Sequence, residues 1–392
     1  MRPEDYVTRV FADPSQIDAV QWDTLLALDE DPSHFVRHAY LSALHASGCA
    51  SPDTGWTATF LTLWQGASLV AACPLYLKAH SYGEYVFDWA WADAHERHGI
   101  RYYPKALVAV PFTPVPGTRL MARDDESRQA LLITLVNWCK EQGLSSLHIL
   151  FARERDLAVA QELGLLLRHT VQFHWHNDAA RPYADFDAFL AHLQQDKRKK
   201  IRQERRKVSE AGVTFRWAQG HDISEADWDF FYQCYERTYH EHHNPPYLNR
   251  DFFRRMAQTM PENWLLFVAE RDGHPIASSL IALDAQRGVA YGRYWGALER
   301  VDCLHFEACY YQPIAWCIAH RFWRLEGGAQ GEHKMARALL PVRASSAHWL
   351  AHPAFADAIE RYLERETEGV DHYLEQLEQR RPLRRDLPGS PS

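Results

Sequence analysis

Hydrophobic and polar positions along this 392-residue chain fall into two successions of the same kind. In the second half, residues 263–270 and 275–283 are apolar runs separated by Arg271-Asp272-Gly273, the signature of two strands around a tight turn. A third run, 289–297, leads through a loop to a helical pattern over about residues 304–321 and a last strand at 322–327. The first half offers runs at 57–64 and 67–77 about a Gly66 turn, then 106–110 and the proline-bearing loop 111–117. A helix over about 126–142 and a strand at 146–151 complete it. This repeated order predicts an α/β (α+β) protein of two similar domains, residues 1–180 and 181–392, each with a mixed twisted sheet, and an inter-domain cleft. Clefts at domain interfaces are where small-molecule chemistry is usually placed.

Outside the repeat, helices are expected over 13–30, 35–45, 92–98, 227–241 and 250–259. A long helix is expected over 186–211, because Phe186, Leu190, Leu193, Lys197, Ile201, Glu204 and Val208 follow at spacings of three and four. Gly212 is placed to cap it. Residues 356–379 carry Ile359, Leu363, Val370, Leu374 and Leu377 on one stripe and read as an amphipathic C-terminal helix, followed by a loose tail over 382–392. A turn is expected around 177–182. The stretch 81–114 is unusually aromatic, with Tyr82, Tyr85, Phe87, Trp89, Trp91, Tyr102, Tyr103 and Phe112, and reads as groove lining.

Composition narrows the function classes. A hydrophobic fraction of 46% and a charged fraction of 24% are those of ordinary globular proteins. No apolar run approaches the roughly 18 residues that cross a bilayer, so no membrane span is expected. Acids near the N-terminus oppose a signal peptide, and seven cysteines without a Cys-x-x-Cys pair suit reduced thiols, so a cytoplasmic location is expected. A net charge of −8 gives no global attraction to nucleic acid, and DNA is not expected as a partner.

Phosphate binding must then be local. Residues 197–207 hold eight Lys or Arg in eleven positions, and Arg198, Arg202 and Arg205 share a side apart from the buried stripe. That side is either a solvated helix face or a clamp for phosphate through charge-assisted bonds. Tyr291-Gly292-Arg293-Tyr294-Trp295-Gly296-Ala297 followed by the helix at 304 sets a strand end against a helix N-terminus, where an anion is favoured. His305 and Glu307 stand at that helix start as candidate general bases, although a glutamate there is also a routine favourable charge. Pro313 should kink the helix. The glycine-rich segment from Gly327 to Lys334 lets backbone approach a ligand and supplies a cation, or is a plain turn; it lacks the phosphate-loop spacing. Neither His174-x-His176 nor the group His240, His242 and His243 has a carboxylate or Cys at ligand spacing, so no metal site is expected. No Gly-x-Ser-x-Gly elbow is present.

Several blocks carry a resemblance: Pro74-Leu75-Tyr76-Leu77-Lys78, Tyr82-Gly83-Glu84-Tyr85-Val86-Phe87-Asp88-Trp89, Tyr102-Tyr103-Pro104-Lys105, Pro111-Phe112-Thr113-Pro114, Gln172-Phe173-His174-Trp175 and Gly331-Glu332-His333-Lys334. From about residue 35 to 347 the chain resembles a bacterial FemAB-like family of N-acyltransferases described as peptidoglycan biosynthesis or recognition proteins. More loosely, it resembles the FemABX aminoacyltransferases. The resemblance implies two tandem domains of the acyl-CoA N-acyltransferase (GNAT) type. It also implies transfer of an acyl or aminoacyl group to a small-molecule or peptide amine acceptor, possible among cell-wall precursors. Arg198 and Arg202 match the arginines of the FemABX basic helix, and Lys334 follows a Gly-Gly turn as that group's groove lysine does. Lys334, Glu307 and His305 are thereby the expected catalytic residues. Arg198, Arg202, Tyr103, Lys105, Asp88, Trp89, Arg293, Tyr294 and His174 are the expected substrate contacts.

The chain also departs from these relatives. Residues 299–304 lack the Gln/Arg-x-x-Gly-x-Gly/Ala loop with which acetyl-CoA enzymes cradle pyrophosphate, Asp196 stands where the basic helix often has Lys, and no helical hairpin follows that helix. The missing loop therefore speaks against acetyl-CoA as donor; no cofactor is firmly expected, and an acyl-CoA or an aminoacyl-tRNA is the possible acyl donor. Two alternatives stay open: a tRNA-dependent peptide-bridge transferase, and a non-catalytic binder of a peptidoglycan fragment or other anionic ligand on the same fold.

Overall fold

The structure is a computed structural model that describes residues 6–177, 181–329 and 331–384. The acidic start, part of the expected turn at 177–182, Gln330 of the glycine-rich segment and most of the expected tail lie outside the described residues. The chain forms two compact units: Met1–Thr170 with Arg343–Asp371, and Val171–Val342 with His372–Ser392. Residues 343–371, placed with the second domain on sequence, cluster with the first unit.

In chain order the first unit contains β1 (Val7–Phe11), α1 (Ala19–Leu26), α2 (His38–Ala46), β2 (Trp56–Ala58), β3 (Phe60–Gln65), β4 (Ser68–Cys73) and β5 (Leu75–Lys78). Then come α3 (Trp89–Arg97), β6 (Lys105–Val108), β7 (Met121–Ala122), α4 (Asp125–Glu141), β8 (Ser146–Ala152), α5 (Glu154–Glu162) and the start of β9 (Leu166–His176). The two long strands read at 57–64 and 67–77 each break in two. Pro74 has no N–H to give a ladder, and at Thr59 the chain leaves one sheet for another, its N–H reaching the Leu75 carbonyl at 2.9 Å. One sheet therefore runs β1-β3-β4-β7, and the other takes β2, β5, β6 and β8 in that spatial order. Within the second, β6 and β8 are parallel, Ala106 opposite Leu147 and Val108 opposite Ile149. Leu61, Leu63, Val70, Leu75, Leu131, Leu135, Leu147 and Ile149 form the buried core beneath α4. Asp124 caps α4 by accepting from the Ser127 N–H at 2.8 Å, an interaction typically worth about 1 kcal/mol.

The loop between β6 and β7 fills the ground beyond this parallel pair. Gly117 lies beside Ala152, its N–H on the Phe151 carbonyl at 2.9 Å. Arg119, buried, donates to the carbonyls of Leu150 (2.7 Å), Val115 (2.7 Å) and Thr118 (3.0 Å).

The second unit takes up β9 and continues with α6 (Phe186–Ala191), α7 (Gln195–Glu210), β10 (Val213–Gln219), α8 (Glu225–Glu241), α9 (Arg250–Thr259), β11 (Trp264–Arg271), β12 (His274–Asp284) and β13 (Val289–Ala297). The helix start at α10 (Leu304–Phe306) widens into a π turn, Glu307–Tyr311, before α11 (Gln312–Ala319) and β14 (Arg324–Glu326). A 3-10 turn (Glu332–Arg337) leads to β15 (Leu340–Leu350), along which the chain re-enters the first unit at Arg343, and α12 (Pro353–Gln379) follows, belonging to the first unit as far as Asp371. The single helix expected over 186–211 is interrupted after α6, where the Gln194 N–H is taken by the Pro382 carbonyl at 2.8 Å. Pro313 produces no simple kink. The chain opens a π turn ahead of it and sets the proline in the first turn of α11, where its missing N–H costs no bond. Strands β10 to β13 are successively antiparallel, whereas β13 and β14 run parallel.

Candidate functional site

The second unit has an opening where its parallel strands part. β13 and β14 stay paired only from Val289 opposite Arg324 to Tyr291 opposite Glu326. Beyond that point β14 turns away, because Gly327 donates its N–H to the Phe173 carbonyl at 2.8 Å. β13 meanwhile carries a bulge. Leu280 faces Tyr294 and Ile281 faces Gly292, so Arg293 is the extra residue, and a bulge re-aims the side chains around it. The result is a cavity of about 220 Å³ lined by Ser279, Ile281, residues 292–295, His305, Cys309, Tyr310, Leu325, Glu326, Gly327, Lys334 and Leu339.

Three charged side chains, Arg293, Glu326 and Lys334, share this lining, and Lys334 is the deeply set cation. The side chain is only 6% exposed, and burial draws its pKa down to about 8 from an ordinary 10.5. Its ammonium donates to the Gly327 carbonyl at 2.6 Å, which fixes it at the cavity wall. Gly327 is obligatory for this approach, since a Cβ there would meet the Leu339 side chain at 2.4 Å and the Phe173 carbonyl at 3.0 Å. His305 sits among Trp295, Tyr310 and His333, and burial drives its pKa down to about 4, so the ring is neutral at physiological pH. Burial also pushes the Cys309 thiol up to about 12, which leaves it protonated and a poor nucleophile. Arg293 donates to the Tyr294 hydroxyl at 3.1 Å. His174, behind the cavity wall, comes within 3.7 Å of the Glu326 carboxylate.

The basic helix α7 braces this arrangement from its buried face. Glu204 accepts from Arg337 at 2.8 and 2.9 Å and from the Tyr311 hydroxyl, tying α7 to the turn that carries Lys334. Arg205 pairs with Glu307 at 3.1 Å, and Gln312 donates to the same carboxylate at 2.8 Å. Glu307 is thus a partner of Arg205 and does not line the cavity of Lys334. It lines a second, wider hollow of about 580 Å³ with Arg202, Arg205, Arg206 and Phe215. Arg202 is exposed there and lies 3.6 Å from Asp187. Arg198, half-buried, is outside both linings.

Four expected contacts belong to the first unit. Asp88, Lys105 and Tyr103 join one network, and Asp88 and Lys105 are buried in it. The Lys105 ammonium donates to Ser81 and Glu84, each at 2.8 Å, and to Asp88. Tyr102 donates to Asp88 at 2.5 Å, and the Tyr103 and Ser81 hydroxyls are 2.7 Å apart. Burial raises Glu84 to about 7 and lowers Lys78 to about 7. On Asp88, burial acts upward but is outweighed by Lys105, and the carboxyl is held well below its usual range. Trp89 stands apart from the network and is exposed.

Of the residues expected on sequence, then, Lys334, His305, Arg293 and Tyr294 share one cavity. Cys309, Tyr310, Ser279 and Glu326 line it without having been singled out. They come from a helix turn and strands whose side-chain direction the sequence does not reveal; Cys309 and Tyr310 could have been found from their spacing of four and five after His305. Among the described residues no group of three or more His, Cys, Asp or Glu is disposed to hold a metal ion. No helix among them is long and apolar enough to cross a membrane.

Strand order, parallel parting and helix start together define an α/β protein of two units built on mixed sheets. Within that class, the chain belongs to the FemAB-like family, described as peptidoglycan biosynthesis/recognition, which it matches over residues 13–385. Solved structures agree on the fold. The C-terminal domain (DUF2156) of a candidate lysylphosphatidylglycerol synthetase from Agrobacterium fabrum is similar with a TM-score of 0.55 at 9% identity, over 90% of this chain and 97% of that one. FemX is similar with a TM-score of 0.53 at 11% identity, over 88% and 98%. L-PGS from Bacillus licheniformis is similar with a TM-score of 0.52 at 10% identity, over 88% and 97%. Among curated proteins, none matches the chain in sequence.

Proposed function

We propose that this protein is an N-acyltransferase that moves an acyl or aminoacyl group onto an amine, with the β13–β14 opening of the second unit as its reaction chamber. The observation that carries this reading is the cavity itself. A parting pair of parallel strands, a bulged backbone edge, a neutral imidazole and a buried ammonium converge on about 220 Å³ in a chain of a peptidoglycan-related family.

In this reading the amine nitrogen attacks the acyl carbonyl carbon, and the bond from that carbon to sulfur or ribose oxygen breaks. Negative charge gathers first on the carbonyl oxygen and then on the leaving group. The ammonium of Lys334 and the backbone along residues 292–295 are the positive partners for that charge, fixed beforehand in the pocket wall. His305, neutral, accepts the hydrogen bond of the attacking amine, whose proton ends on the leaving thiolate or alkoxide. Arg202 and Arg205 line the wider hollow and suit phosphate of the donor, either an acyl-CoA or an aminoacyl-tRNA. Glu307 holds Arg205 in place, and Glu204 holds Arg337 and with it the turn of Lys334. The family description, peptidoglycan biosynthesis/recognition, supports an amine of a peptidoglycan precursor as acceptor.

The test is transfer of radiolabel from acyl-CoA or aminoacyl-tRNA to amine acceptors, including peptidoglycan precursor peptides. Labelled amide that disappears with Lys334→Ala is the expected result. Acceptor binding without transfer from either donor would make the protein a binder and overturn the reading.

A further inference from the structure

We infer that Tyr310 and His333 form the outlet through which the cavity of the second unit discharges a proton of its incoming amine. The inference deepens the transfer reading and rests on it. An alkylamine in neutral water is an ammonium, which has no lone pair with which to attack a carbonyl. One proton must leave before attack, and the cavity offers few places for it. Lys334 is engaged there as a cation, and His305, drawn down to about 4, holds a proton poorly. Glu326 is taken by Arg324 at 3.1 Å. Burial pushes the Cys309 thiol and the Tyr310 phenol upward, so both keep their own protons at rest.

Tyr310 spans the wall. Its ring lines the cavity and is only 6% exposed, yet its hydroxyl lies 3.3 Å from Nε2 of His333. His333 is outside the lining and exposed. A buried phenol thus joins the cavity to an imidazole in contact with water. The backbone holds that imidazole in place. Gly331 sits at φ 100°, and a Cβ on it would meet the His333 ring at 2.3 Å from Cε1 and 2.6 Å from Nδ1. A glycine here lets the ring lie back over its own chain and reach Tyr310. Phe306 flanks the ring at 5.7 Å between centroids, and Arg337 fixes the turn by donating to the His333 carbonyl at 2.6 Å. Adjacent residues of one turn therefore serve the two sides of one wall, Lys334 within and His333 without.

An imidazole is the side chain suited to passing protons to water near neutral pH. Desolvation, then Arg337 and Lys334 of its own turn and Lys200 of α7, lower the pKa of His333, against an opposing pull from Glu204 of α7. The ring is neutral at rest. With its proton on Nδ1, it accepts from the Tyr310 hydroxyl through Nε2. The step then balances. The substrate ammonium gives one proton to the Tyr310 oxygen, the Tyr310 proton passes to Nε2, and the resulting imidazolium releases the Nδ1 proton to water. The amine keeps the electron pair for attack, and Tyr310 and His333 end uncharged. The second amine proton, lost after attack, still leaves on the thiolate or alkoxide.

The full chain is assayed with one acceptor peptide in two forms, ending in an alkylamine or in an aminooxy group, the latter an uncharged nucleophile at neutral pH. Label comes from acyl-CoA or aminoacyl-tRNA. Tyr310→Phe and His333→Gln should each slow transfer to the alkylamine about a hundredfold and transfer to the aminooxy form little, and free imidazole should restore part of the rate of His333→Gln. Equal losses with both acceptors, or no loss with either, would overturn the outlet and leave the transfer reading intact. A second measurement needs no turnover. In nitrogen NMR of the histidine rings, Tyr310→Phe should move the Nε2 resonance of His333, and an unmoved resonance would overturn the outlet whatever the protein transfers. A parent that labels neither acceptor from either donor would remove the transfer reading, and the outlet with it.

Discussion

Each unit contains a pair of parallel strands at its heart, β6 with β8 in the first and β13 with β14 in the second, and the two pairs end differently. In the first, the loop after β6 returns alongside β8, and the guanidinium of Arg119 occupies the ground beyond, satisfying three carbonyls. In the second, a bulge at Arg293 and the early departure of β14 at Gly327 leave that ground hollow, with Lys334 on its wall. One strand arrangement thus serves as core in one copy and as chamber in the other. The connections beyond the strands decide between the two: a long loop able to fold back in the first unit, a tight glycine turn and a helix start in the second.

That contrast can be broken from either side. Arg119→Ala should have the largest effect, because it orphans three buried carbonyls and leaves a void; a loss of about 3 kcal/mol or more in urea unfolding is expected. An unchanged urea midpoint would mean that Arg119 does not fill the first unit's opening. Lys334→Ala should cost about 10²–10³ in the rate of transfer, the scale of losing a fixed donor to developing charge, while moving the urea midpoint little. Gly327→Val should mimic part of that loss by displacing Leu339 and Lys334, read as a lower turnover at folded-protein levels confirmed by circular dichroism.

Smaller effects sharpen the comparison through pH. Lys334, with its pKa drawn down to about 8, is charged below that pH and neutral above it. Transfer that needs the ammonium should therefore decline as pH rises through about 8, and Lys334→Arg should move the decline upward if it retains activity. A rate that climbs through the same range would instead make Lys334 a base. In the first unit, Glu84 is raised from 4.5 to about 7 by burial, so the folded state binds more protons across that interval and stability falls as pH rises through it. Glu84→Gln should flatten that slope in chemical denaturation at pH 5 and pH 7. A slope unchanged by the substitution would show that Glu84 is not the group responsible.

Much of this was legible in the chain. The turn Arg271-Asp272-Gly273, the strand at 289–297 and the helix after it stand out because periodicity and turn residues report local structure directly. Lys334 and His305 were legible as candidates through the glycine-rich segment and the helix start. Other features were not. The strands β1 and β15 lack strong alternation, and the splitting of two strands at Thr59 and Pro74 depends on which neighbour each half meets. β10, absent from the expected elements, was legible from Val213, Phe215 and Trp217 alternating between Gly212 and Gly220. That Glu307 is spoken for by Arg205, and Asp88 and Lys105 by one another, is a fact of side chains 102 and 17 positions apart in sequence.

By itself, the sequence determined the order of elements, their repetition and the family, because these follow from local pattern and from shared residue blocks. Only the tertiary structure decided which carboxylates are consumed in ion pairs, which parallel pair is plugged and which is hollow, and which aromatic rings face water. Those outcomes turn on packing and desolvation between residues far apart in the chain, and a linear pattern carries no measure of either.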